Sequence, residues 1–173
     1  MRIIDISKEN LSVMPPDTAP DLLAQAEKWL SLQEHQLDRL IVDEVPELLK
    51  LGYGAEALGV LNRWLLDEVK PPANGEKFSS SEIETMGLAA RFLGESLVRN
   101  FKGEWVLTSD EVENELAAPC VMLPYGRPLF EVFQEIRSAV IRADITALET
   151  LFGLTERVYG EWVEKGSVTL LPS

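Results

Sequence analysis

The chain is 173 residues long, carries 29 acidic against 16 basic side chains for a formal charge of −13, and is 46% hydrophobic. That apolar content offsets chain entropy and excludes a disordered polypeptide, while the length fits a single domain, 1–173, divisible into an N-terminal helical subdomain 1–75 and an α+β core 80–173. A strong negative charge without clustered Lys and Arg excludes an electrostatic footprint on nucleic acid or on an anionic membrane.

From Arg2 to Ile6 the β-branched Ile3, Ile4 and Ile6 predict a short strand. After a Pro-containing link, Leu23, Ala26, Leu30, Leu37, Leu40 and Ile41 recur at the spacing of one helical face, with Asp17 or Thr18 placed to cap its start. Pro46 removes a backbone donor and clashes with the preceding turn, so near Val45 either one helix bends or two helices meet. Gly52 and Gly54 end this stretch. Leu58, Leu61, Leu65 and Val69 predict a helix from Ala55 to Val69, stopped by Pro71 and Pro72. The segment PPANGEKFSSS has no period and marks the subdomain boundary. Ser81 and Glu84 have capping-box spacing, and the helix they open carries Ile83, Met86, Ala90, Leu93, Leu97 and Phe101 on one stripe. Leu88, Phe92 and Val98 broaden that stripe and make this helix central.

Beyond it the period changes. EWVLT (104–108) and APCVML (118–123) are β-prone and predict an antiparallel pair separated by an acidic connection. Pro128 suits the first turn of a helix with Leu129, Val132, Phe133, Ile136 and Val140 facing inward. Asp144 caps a last helix through Leu148, Leu151, Phe152, Val158 and Trp162, Gly166 ends it, and SVTLLPS reads as a final strand. The expected fold is α+β and mostly helical, with five or six helices packed around a small antiparallel sheet of two to four strands. No window approaches a transmembrane span and no signal peptide is evident, which predicts a cytoplasmic location. The one cysteine, Cys120, lies in an apolar stretch and reads as a buried thiol.

His35 is the only histidine, so sites needing two histidines in one chain are excluded; it lies in a polar run on a solvated helical face. No phosphate-binding glycine loop and no nucleophile elbow occurs. Asp110, Glu111, Glu113 and Glu115 cluster between the two strands, but their spacing matches no calcium loop, and a solvated acidic loop is the plainer reading. No metal, cofactor or catalytic residue is expected. Three features stand out as candidate binding elements. Arg91, Glu95 and Arg99 follow one another at four-residue steps, so Glu95 can pair with either arginine. Trp105, one of four tryptophans, enters the sheet just after the central helix and serves either as packing or as an interaction anchor. Tyr125 and Arg127 lie in a strand-to-helix junction that offers a hydroxyl, a guanidinium and helix amides to an acidic group.

The stretch LGESLVRNFKGEW (93–105), followed by PYGRPLFEVF, resembles uncharacterised bacterial proteins with a Leu-Gly-Glu, Leu-Val, then Gly-x-Trp pattern on a helix that runs into a strand. The likeness covers roughly residues 82–141. It implies an immunity-like or accessory role beside secreted toxins, and no catalytic residue.

The leading functional expectation is a protein–protein interaction module with a basic partner, since the acidic surface would steer such a partner toward it. The alternative is a small-ligand-binding protein or carboxylate-based enzyme, with Glu95 and Arg91 or Arg99 lining a pocket between the central helix and the sheet. A homodimer joined through the N-terminal helices is the third.

Overall fold

The computed structural model describes residues 2–5, 12–14, 20–73, 76–109, 119–125 and 129–167. Seven α-helices lie among them: α1 (Pro20–Ser31), α2 (Gln33–Arg39), α3 (Leu48–Leu51), α4 (Ala55–Glu68), α5 (Ser80–Phe101), α6 (Val132–Arg142) and α7 (Ala147–Glu164). The strands are β1 (Arg2–Asp5), β2 (Ser12–Met14), β3 (Glu104–Ser109), β4 (Pro119–Met122) and β5 (Leu129–Phe130), in the spatial order β2-β1-β3-β4-β5. The architecture is mostly helical α+β.

Helix α5 organises the rest because it is apolar over most of its circumference: Met86, Leu88, Ala89, Ala90, Phe92, Leu93, Leu97 and Phe101 are all buried. A helix with so wide an apolar arc must be covered on several sides, and α2, α4, α6, α7 and the strands β3 and β4 all pack on it. One core results, running from Leu37 through Leu58, Leu61 and Leu65 to Phe92, Ile136 and Phe152.

The start of α5 differs from expectation by two residues. Ser79, not Ser81, is the N-cap: its hydroxyl accepts from the Glu82 N–H at 3.2 Å, and the Glu82 carboxylate accepts from the Ser79 N–H at 2.7 Å. Both serines have a glutamate three residues on, but only the Ser79 register puts Phe78 and Ile83 at the positions of a hydrophobic staple, where they line one groove.

Pro46 separates two helices. After α2 the chain passes through a π-helical turn, Leu40–Glu44, leaves helical geometry at Val45 and resumes at α3. A second break, at Leu32, parts α1 from α2.

The expected antiparallel pair is β3 with β4, in the register Trp105↔Val121 and Val106↔Cys120. The sheet extends past it on both sides, by β1, which runs parallel to β3, with β2 outside it, and by β5 against β4. Leu129 and Phe130 belong to β5, paired with Met122 and Val121, and not to the helix expected from Pro128; α6 starts at Val132. Alternation along β4 sends Val121 to the main core and Cys120 and Met122 to a smaller cluster with Ile4 and Val106 on the other face. Helix α7 begins later than expected. Asp144 does not cap it but accepts at Oδ1 from the N–H and hydroxyl of Thr146, both at 2.9 Å, closing the turn between α6 and α7. No described helix is long and apolar enough to cross a membrane. The acidic cluster 110–115, Arg127 and all but Ser167 of the C-terminal strand expected over 167–173 lie outside the described residues.

Candidate functional site

The sequence-predicted residues separate into three places. At the first, Arg91 is turned inward and is only 6% exposed. Its guanidinium lies over the Trp29 ring, 3.7 Å from the centroid, and one terminal nitrogen donates to the Trp29 carbonyl at 2.8 Å and to Gln33 Oε1 at 2.9 Å. Trp29 meets Trp105 edge to face with centroids 4.8 Å apart. The six-membered edge of Trp105 lies so close over Gly94 that any Cβ there would overlap the ring. Gly94 is therefore a packing requirement, and the space between α5 and the sheet at this level is filled by indole rather than open as a pocket. Among the described residues Arg91 has no carboxylate partner, and burial pushes its pKa down to about 10.

The second place is a polar groove of about 420 Å³ between α2 and α5, lined by Gln33, Glu34, Asp38, Tyr53, Glu95 and Arg99 among others. Glu95 pairs with Arg99 at 2.7 Å, and its side chain is 17% exposed against 55% for the arginine. The Arg99 guanidinium sits 4.1 Å from the centre of the Tyr53 ring, whose neighbour Phe92 stacks on it at 4.8 Å. Tyr53 reaches this position because Gly52 turns the chain at φ 68°, a value an L side chain rarely adopts, and because Asn100 donates to the Tyr53 carbonyl at 2.9 Å. Burial raises the Tyr53 pKa, Arg99 opposes that rise, and Glu95 and Asp38 add to it. The hydrogen bond to Glu95 holds Arg99 in its charged form.

Tyr125 is at the third place, far along the chain from that groove. With Phe130 and the side chains of α6 and α7 it lines a cavity of about 360 Å³ that is mainly apolar. Leu148, Leu151, Leu154 and Val158 form one wall, and Leu154 and Val158 are 50% and 45% exposed. Glu135, Arg142 and Asp144 provide its charged groups. Arg142 donates to the Ser138 carbonyl of its own helix at 3.2 Å, and the Thr146 hydrogen bonds hold the Asp144 pKa below its ordinary value.

Sequence reasoning paired Glu95 with an arginine on either side; the structure supplies Arg99 alone and sends Arg91 to α1 and α2. Gln33 and Tyr53 were not anticipated, since neither has a helical-spacing relation to α5. Leu154 had a readable signal. In α7 the buried stripe is Leu148, Phe152 and Thr155, while Ala147, Leu151, Leu154 and Val158 form a second apolar row whose first half packs on the core and whose second half, Leu154 and Val158, stays about half exposed. His35 is exposed, and among the described residues no three His, Cys, Asp or Glu side chains gather as a metal-binding group. Cys120 is buried, its Sγ 3.8 Å from the Thr108 hydroxyl, and burial raises its pKa to about 11.

No family model, no curated protein and no solved structure matches this chain.

Proposed function

We propose that the chain is a protein-interaction module that engages a basic partner at the groove between α6 and α7. The observation that carries this reading is the second apolar row of α7, which leaves Leu154 and Val158 about half exposed beside Tyr125 and Phe130. Apolar side chains gathered around a concave surface gain free energy when a partner removes them from water, at about 25 cal/mol per Å². The charge of −13 adds long-range attraction for a basic surface and raises the encounter rate. An immunity-like or regulatory role in the cytoplasm is the biological form this reading takes from the resemblance in residues 82–141.

The test is affinity capture from the native host at low and high salt, with wild-type protein and a Leu154→Asp/Val158→Asp double variant. A basic protein captured by the wild type, released by salt and absent with the variant is the expected result. A partner retained equally by both proteins would remove the groove from the reading, and no partner at either salt would remove the reading itself.

The second reading is a small-ligand-binding protein, favoured by the polar groove around Tyr53, Glu95 and Arg99. A ligand bound there raises the melting temperature by mass action. A metabolite panel that shifts the wild type but not Glu95→Gln would support it, and a flat panel would dismiss it.

A further inference from the structure

Resting on the interaction reading, we propose that the segment received by the α6–α7 groove is an amphipathic α-helix of about three turns whose polar face is basic. The shape comes from the wall itself. Ala147, Leu151, Leu154 and Val158 follow one another at four, three and four residues, so the row extends over twelve residues, a rise of about 16 Å at 1.5 Å per step. A ridge at that spacing packs against the complementary ridges of a second helix, and a helix laid into such a groove is read through apolar side chains at i, i+3 or i+4, and i+7. An added β-strand fits less well, because the nearest sheet edge, β5, is two residues long and offers too few backbone groups for a ladder.

The charge comes from the rim. Among the described residues lining the groove, Glu135 and Asp144 are acidic and Arg142 is basic, which leaves this rim acidic by one charge, with Arg142 tied back to its own helix through the Ser138 carbonyl. Asp144 stays ionised because the Thr146 N–H and hydroxyl hold its carboxylate. A second copy of the chain would bring the same −13 and the same acidic rim against itself, which costs electrostatic free energy. Residues 168–173, VTLLPS, contain no basic side chain to answer that rim.

The experiment measures fluorescence anisotropy of the full chain with a labelled leucine–lysine peptide of about 14 residues whose leucines follow the i, i+3, i+4, i+7 pattern. Its controls are a scrambled peptide of the same composition and a leucine–glutamate version. The amphipathic lysine peptide is expected to bind at least about tenfold more tightly than either control, and Leu154→Asp/Val158→Asp to weaken it at least about tenfold. That loss is diagnostic, since two added carboxylates would strengthen a purely electrostatic attraction. Leu154→Ser, which adds no charge, is expected to show a smaller loss in the same direction, and circular dichroism checks that each variant folds.

Equal binding of the patterned and scrambled peptides, or binding untouched by the double variant, would overturn the inference. So would tighter peptide binding after removal of residues 168–173, which would give the groove to the chain's own C-terminal residues, or a sedimenting dimer dispersed by Leu154→Asp, which would give it to a second copy. If the host partner in the capture experiment depends on Leu154 and Val158 while the peptide does not bind, the interaction reading stands and the helical occupant falls.

Discussion

The groove around Tyr53 and the groove between α6 and α7 are similar in size and opposite in state. Around Tyr53 the polar groups answer one another: Arg99 is hydrogen-bonded to Glu95 and stacked on Tyr53, and Tyr53 rests on Phe92. The apolar wall of the α6–α7 groove has no such closure among the described residues: Ala147 and Leu151 pack on the core, but Leu154 and Val158 remain about half exposed. A cation already paired and stacked has less binding free energy to give, since a ligand must displace the Glu95 hydrogen bond to make its own. An open apolar groove gains from nearly any apolar surface of the right shape. This difference, more than the net charge, is why the interaction reading is preferred to the small-ligand reading.

The largest expected effect breaks the packed side of the comparison. Gly94→Val forces a branched side chain into the Trp105 ring, and overpacking of this kind should cost about 3 kcal/mol, measured as a shift in the urea midpoint at constant slope. A loss below about 1 kcal/mol would mean that the indole moves freely and that the space between α5 and the sheet is available to a ligand after all. Next in size is the effect of Arg91→Ala, which removes the stack on Trp29 and leaves the Trp29 carbonyl and Gln33 without their donor. It should cost about 2 kcal/mol. Arg99→Ala, two turns further along the same helix but exposed, should cost no more than about 0.5 kcal/mol. Comparable costs for the two arginines would erase the distinction between a buried structural cation and a surface pair.

Alkaline pH separates the two grooves through their tyrosines. Burial raises the pKa of both Tyr53 and Tyr125 above the ordinary 10.0. From about pH 10 up to the higher value in the fold, the unfolded chain has lost a proton that the folded chain keeps, so stability falls as pH rises through that window. Arg91, held down to about 10, works in the opposite direction above that pH, so the test lies in variants. Tyr53→Phe and Tyr125→Phe should each flatten the alkaline loss. Because Arg99 opposes the rise at Tyr53 only, Arg99→Gln should move the Tyr53 titration further up and leave Tyr125 unchanged in an ultraviolet phenolate titration. Equal movement of both would place the arginine's field elsewhere.

What was legible in the sequence follows from locality. The stripe Met86–Ala90–Leu93–Leu97–Phe101 and the β-prone runs on either side of the acidic stretch carry their periods in neighbouring residues, and α5, β3 and β4 lie where those periods put them. A Cβ at Gly94 would overlap the Trp105 ring and one at Gly103 would meet Val121 Cγ1 at 2.8 Å, close approaches that the sheet sets and no neighbouring residue announces. The break at Leu32 has no local sign either, because neither Gly nor Pro marks it; turning the chain there lets Trp29 and Gln33 converge on Arg91 from two helices. Leu129 and Phe130 misled for a similar reason. Their helical spacing with Val132 and Phe133 is local, whereas their pairing with Met122 and Val121 is set by the sheet. The candidate site was half legible: spacing put Glu95 within reach of Arg99, but only the tertiary fold decides that Arg91 is buried and that Tyr53 completes the groove.

The smallest effect on stability is expected at the residues to which the interaction reading gives the most. Leu154→Ser removes a side chain that is already half in water, and substitutions at such positions usually stay within about 0.5 kcal/mol. A core residue on the neighbouring row, Phe152, should by contrast cost about 3 to 5 kcal/mol when cut to alanine. The comparison is sharp because the two positions lie two residues apart within one turn of the same helix and face different apolar rows. If Leu154→Ser destabilised the fold by as much as a core truncation, the Leu154 end of the second row would be part of the core as well, and its exposure could no longer be read as a surface kept for a partner. A near-zero cost combined with loss of peptide binding would instead separate folding from recognition on α7, with Phe152 serving the first and Leu154 the second.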